Sequence, residues 1–215
     1  MRTRVGNLVR PLVAAAISFA GVGLVACEGG PDAPPEATDA APSASASPEL
    51  ASFRFDVGGR EVVATARGHL TERERRDARE AADRVEAAVT DLYVAAFLDP
   101  EQWTSGTYAD VFDVFAGVAR PEAQQRAGIL TAGGDAADRF DRIEPLKGRL
   151  TLRILLDRSG KPTLVASKVR FLARGDGTDP LAIRSEGTYL FRRIDGAWRI
   201  VSFDVVRRDR ERKAS

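Results

Sequence analysis

The chain has 215 residues, a formal net charge of +1, one cysteine and one histidine. A near-neutral balance gives no reason to expect a nucleic-acid binder. One cysteine excludes an internal disulfide, and a single histidine leaves little for a zinc site, so no metal or other cofactor is expected. The only lysines are Lys147, Lys161, Lys168 and Lys213. With so much alanine, this arginine bias fits a GC-rich bacterial genome.

Residues 1–10 carry Arg2, Arg4 and Arg10 and no acid, and residues 11–26 carry no charge. A basic segment before a short apolar one is the pattern of a secretory signal peptide. The apolar run is short for a membrane span, which needs about 20 residues. It ends Leu24, Val25, Ala26, Cys27. These four residues resemble the lipobox of bacterial lipoproteins. The resemblance implies that Cys27 receives a diacylglyceryl group on its thiol, and that cleavage falls between Ala26 and Cys27. It also implies a palmitoylated protein held at the outer face of the cell membrane. Two acyl chains hold a protein on a bilayer far better than one. Loss of residues 1–26 removes three arginines and no acid, which takes the net charge from +1 to −2.

Residues 27–50 are rich in Pro, Ala, Ser, Asp and Glu, with no aromatic residue. Such a stretch cannot bury enough surface to offset its chain entropy, and a disordered tether is expected. Its prolines favour extended conformations, so it could reach about 60 Å at about 3 Å per residue.

Residues 51–70 read as a β-hairpin, with strand-like runs on either side of Gly58 and Gly59. Thr71 with Glu74 is a capping-box signature. The helix it opens places Ala78, Ala82, Val85, Val89, Leu92 and Ala96 on one face and Arg76, Arg79, Glu80, Asp83 and Glu86 on the other. Asp99 and Pro100 end it. A second helical stretch at residues 108–118 places Val111, Phe112, Phe115 and Val118 together. Pro121 suits the start of a third, through Ala127. Gly133 and Gly134 break the pattern.

Strands follow. Leu150, Leu152, Ile154 and Leu156 alternate with Arg149, Thr151 and Arg153. Val165, Ser167, Val169 and Phe171 alternate with Ala166, Lys168 and Arg170. Turns are expected at Ser159 and Gly160, at residues 175–177 and at Asp195 and Gly196, with further strands over residues 183–194 and 197–206. Helices followed by a meander imply an α+β domain over residues 71–208, its helices packed on one face of an antiparallel sheet. Residues 209–215 are a charged tail. With Arg207 and Arg208, its basic residues could touch anionic headgroups or wall polymers, or remain solvated.

The order of elements resembles the nuclear transport factor 2-like superfamily, a long helix and short helices on a curved sheet. The local match lies in residues 187–200, which end in Trp198, Arg199 and Ile200 after the turn at Gly196. Residues 93–103 are similar to the end of the first helix in such domains. The resemblance implies a cone-shaped pocket between sheet and helix. Candidate pocket residues are Trp103, Tyr108, Tyr189, Trp198 and Asp204. Asp204 shares a strand face with Trp198, Ile200 and Val206 in strict alternation, so it could point inward and act as a base if desolvated.

This fold hosts enzymes, binders and spacers alike. No phosphate loop, nucleophile elbow or metalloprotease helix is present. His69 sits in a connector, and the tripeptide Arg174, Gly175, Asp176 reads as a turn. The reading is a membrane-anchored extracytoplasmic lipoprotein with no catalytic residues. Its domain binds a small hydrophobic ligand or an envelope protein. The alternatives are an isomerase or dehydratase in the cone pocket and a spacer or assembly module of the envelope.

Overall fold

The structure is a computed structural model; it describes residues 52–64, 69–106, 108, 110–178 and 180–211. Cys27, Ala26, the signal segment and the tether lie outside the described residues.

The elements are β1 (Asp56–Ala64), α1 (Glu72–Tyr93), a π-helical turn (Val94–Leu98), α2 (Pro100–Ser105), a 3-10 turn (Asp110–Val114), α3 (Ala119–Gln125), α4 (Ala127–Leu130), α5 (Ala136–Arg139), β2 (Arg142–Leu156), β3 (Pro162–Asp176), β4 (Leu181–Ile194) and β5 (Ala197–Glu211). The strands form one mixed sheet in the order β1-β2-β3-β4-β5. Strands β2 to β5 are an antiparallel meander. The long helix packs on β2, β3 and β5, so the protein is α+β with a helical layer on one face of the sheet.

Helix α1 starts as its sequence dictates. The Thr71 side chain accepts from the Glu74 N–H at 3.2 Å, and the Glu74 carboxylate accepts from the Thr71 N–H at 2.7 Å. These two bonds satisfy donors that an uncapped helix leaves open. The expected inner face is buried throughout: Ala78, Ala82, Val85, Val89, Leu92 and Ala96. The helix closes in a π turn, where the Asp99 N–H reaches the Val94 carbonyl at 2.8 Å. Asp99 then caps α2 through Glu101, with Pro100 in the first turn, where its missing N–H costs nothing.

The hairpin expected in residues 51–70 is not formed. Gly58 and Gly59 lie inside one continuous strand, at a bulge between Val57 and Gly59. Strand β1 runs parallel to β2, with Asp56 opposite Arg149 and Ala64 opposite Leu156. It is an edge strand of the domain rather than an appendage. Phe55 is buried in the core, and the rings of Phe53 and Phe55 lie where a Cβ on Gly148 would stand. The glycine admits the two rings. Arg60 then ties β1 to α1, donating to Asp83 and Glu86 at 2.7 Å each.

Three other differences have local causes. Val118 is 81% exposed, because the chain from 110 forms a 3-10 turn and Phe115 bridges to Ile200 instead of continuing a helix. The strands are longer than their apolar cores. β3 runs to Asp176, so Arg174 and Gly175 are strand residues and the turn falls at Gly177 (φ +155°). Residues 207–211 complete β5 instead of joining a tail. Arg207 is 7% exposed at its side chain, donates to the Thr131 and Gly128 carbonyls at 2.6 and 3.2 Å, and pairs with Asp209.

Candidate functional site

The space between α1 and the sheet is where a cone pocket would lie. Aromatic side chains of the chain itself occupy it. The Tyr93 ring stands 5.1 Å from Phe171 and 5.4 Å from Phe97, and packs edge-on against Phe55 at 5.2 Å and Tyr189 at 6.4 Å. Phe115 and Phe203 continue the cluster, 5.5 Å apart, with Tyr189 6.5 Å from each. Such offset and edge-on rings are favourable beyond their buried area.

Polar atoms in this interior are satisfied from within. Tyr93 Oη and Ser185 Oγ are hydrogen-bonded at 2.9 Å, and the Tyr189 hydroxyl donates to Tyr93 Oη at 3.4 Å. Burial pushes the Tyr93 and Tyr189 phenols up from their ordinary range, Tyr189 well up. Burial raises Tyr108 too, although bonds to Thr131 and Gly133 oppose it. A phenol of this kind can hold a proton but cannot act as a base at neutral pH. The buried polar residues among those described are Thr131, Ser167 and Ser185, with no carboxylate or imidazole to accept a proton.

The five pocket candidates do not converge. Trp103 is buried on α2, and its Nε1 has no hydrogen-bond partner among the described residues. Tyr108 is buried and donates to the Gly133 carbonyl at 2.8 Å. Tyr189 belongs to the aromatic cluster. Trp198 borders two surface clefts of about 660 and 410 Å³. Asp77, Glu80, Arg84, Lys161 and Arg193 lie on the larger one, so it is an open, mixed-charge groove. Asp204 points outward. The strand carries one extra residue at Val201, since Leu190 faces Ser202 while Phe191 faces Ile200. That bulge inverts the alternation. Trp198 and Ile200 face inward before it, Phe203 and Val205 after it, and Asp204 and Val206 face solvent. His69 is exposed. Gly175 is buried against the Phe140 ring and paired in the sheet, so the Arg174, Gly175, Asp176 tripeptide is no exposed loop.

The sheet's outer face is the feature that sequence reading passed over. Between residues 147 and 172, the outward positions of β2 and β3 are Lys147, Arg149, Thr151, Arg153, Leu155, Leu164, Ala166, Lys168, Arg170 and Leu172. Five are basic and none is acidic. The register sets Arg149 directly opposite Arg170, and Arg184 directly opposite Arg208. Acids lie on neighbouring strands: Asp56 is 3.9 Å from Arg149, Glu61 is 3.4 Å from Arg153, and Glu186 accepts from Arg184 at 2.8 Å. The Glu186 carboxyl is held below its usual range, mainly by that hydrogen bond, with Arg208 and Arg170 adding to it. No carboxylate among the described residues stands within 4.0 Å of Lys147, Lys168 or Arg170. A shallow depression of about 230 Å³ opens here, lined by Lys147, Arg149, Arg170, Leu172 and Arg184.

The fold and these sites define an α+β domain with a closed aromatic interior and a basic sheet face. No protein-family model matches the chain, and no curated protein matches it. Among the described residues no helix is long and apolar enough to cross a membrane, and no group of His, Cys, Asp and Glu side chains could hold a metal ion.

Proposed function

We propose that this chain is an extracytoplasmic bacterial lipoprotein, exported by residues 1–26, acylated at Cys27 and carried on a tether through residue 50. Its folded part is a nuclear transport factor 2-like domain with a filled cone. That domain works without catalysis, by presenting its surface to a component of the cell envelope.

One observation carries the non-catalytic reading: Tyr93, Phe97, Phe171 and Tyr189 pack on one another where a ligand or a reacting group would sit. An isomerase or dehydratase needs a titratable pair around a space large enough for substrate. Here the phenols of that region bond to each other and to a serine. A small hydrophobic ligand would have to displace rings that are already close-packed, at a cost of the same order as the contacts it would gain.

Two measurements test the proposal. Mass spectrometry of the protein isolated from membranes is expected to show an N-terminal Cys27 bearing acyl chains. An intact residue 1 or an unmodified Cys27 would overturn the anchor. Thermal unfolding with a panel of sterols, retinoids and fatty acids is expected to show no saturable rise in midpoint, since a ligand that binds only the folded state must raise it. A saturable rise that Phe171→Ala alters would restore the ligand-binding reading.

A further inference from the structure

We propose that the outer face of the sheet, centred on Lys147, Arg149, Lys168 and Arg170, is a docking surface for anionic lipid headgroups at the bilayer to which the chain is anchored. The inference names a partner for the surface invoked above and rests on the anchored reading for its biological setting.

The first argument is the charge pattern. Like charges directly opposite on neighbouring strands are destabilising. The sheet nevertheless sets Arg149 against Arg170 and Arg184 against Arg208. The acids that partly compensate lie on the flanking strands, with Glu186 directly opposite Arg170 and paired with Arg184 and Arg208, while Lys147 and Lys168 have no carboxylate within 4.0 Å among the described residues. The inward side of the same strands makes the core, so Lys147 and Lys168 face outward with no ion pair among the described residues. A fold retains such a conflict where an outside partner resolves it.

The second argument is the apolar component. Three large hydrophobic side chains are exposed among the described residues, and two of them border this patch: Leu146, 52% exposed beside Lys147, and Val206, 42% exposed opposite Glu186. Leu172 lines the depression together with Lys147, Arg149, Arg170 and Arg184. Cations around a few exposed aliphatic groups are the chemistry of a surface that seats at a headgroup layer. A second copy of this chain fits poorly, since a two-fold contact would place the same basic patch against itself.

The tether carries Glu28, Asp32, Glu36, Asp39 and Glu49 and no base, which makes it the rival occupant.

The test uses the unacylated chain from residue 27, which keeps every described residue. Co-sedimentation is measured with vesicles of phosphatidylcholine alone and with about 30% phosphatidylglycerol, at about 50 mM salt to limit screening. Binding is expected only to the anionic vesicles and is expected to weaken as salt rises. Replacing Lys147, Arg149 and Arg170 by Gln is expected to lower the partition coefficient about 100-fold, from the contribution of three basic groups near a charged surface. Removing the same charge from α1, as Arg73→Gln, Arg76→Gln and Arg79→Gln, is expected to change it little. Circular dichroism melts verify that both triple variants fold.

Equal losses in the two triple variants would overturn the site, and so would absence of binding. Binding that appears only after the five tether acids are changed to Asn or Gln would assign the face to the tether instead. A vesicle-free dimer that the sheet variant dissociates would assign it to a second copy. None of these results depends on acylation, so failure of this site and failure of the Cys27 anchor are read separately.

Discussion

The buried hydroxyl network gives the sharpest check on the closed interior. Tyr93→Phe keeps the ring and opens no cavity, so its cost isolates the hydroxyl. The substitution removes the partner of Ser185 Oγ at 2.9 Å and the acceptor of the Tyr189 hydroxyl at 3.4 Å. A buried polar group left without its partner costs about 1–3 kcal/mol. The shorter bond lies within the normal range, and the longer one is weak. Together they give about 2–3 kcal/mol for Tyr93→Phe. Ser185→Ala removes one end of the shorter bond and leaves Tyr93 its contact with Tyr189, for about 1–2 kcal/mol. The double variant orphans fewer groups than the two single variants together, so its cost is expected to fall about 1–2 kcal/mol short of their sum. Urea unfolding followed by circular dichroism measures all four corners of the cycle, provided the slopes agree. Strict additivity, or a Tyr93→Phe protein as stable as the parent, would refute the reasoning. The second result would show that the hydroxyl pair makes no net contribution to stability.

The remaining predictions concern the frame and the charges. All three tyrosines of the chain, Tyr93, Tyr108 and Tyr189, are buried with phenols pushed up. A raised folded pKa means that the unfolded chain loses its phenolic protons first. Stability from these groups is therefore complete below about pH 10 and falls above it, by up to about 4 kcal/mol per pH unit if all three release protons together. Absorbance at about 295 nm is expected to stay flat on raising the pH and to rise only with unfolding; early ionisation in the folded protein would contradict the burial. Thr71→Ala is expected to cost about 1 kcal/mol through loss of the capping box on α1, read by urea unfolding. Gly187→Ala is expected to be far more damaging than its size suggests, because a Cβ there meets the backbone of β5 at Asp204 and Val205; a melting point near the parent's would show that the two strands can part cheaply. Arg170→Thr is expected to weaken vesicle binding with little change in stability, since it removes a like charge opposite Arg149 and an opposite charge facing Glu186 together.

The sequence pattern identified what local physics controls. The capping box at Thr71, the inner face of α1, the break at Asp99 and the alternation in β2 and β3 all appear where residue spacing places them, because each depends on neighbours a few positions away. What escaped depends on partners far along the chain. Gly58 and Gly59 carry a turn signal, yet β1 pairs in parallel with β2, and nothing near residue 58 encodes Arg149. Counting in twos from Trp198 allows Asp204 an inward position; one bulge residue, Val201, is enough to reverse every later position and leaves it exposed.

The basic face belongs to the same class of information. Arg149, Arg153, Lys168 and Arg170 are visible in sequence as the polar half of two alternating strands, and polar residues on the open side of a sheet call for no explanation. Only the register turns them into a problem. Once Arg149 stands opposite Arg170, the polar half is no longer a neutral solvent-facing surface but a concentration of positive charge that Asp56, Glu61 and Glu186 offset only in part. On the proposed reading the contact is made at the outer face of the sheet, through the cations that Asp56, Glu61 and Glu186 only partly offset.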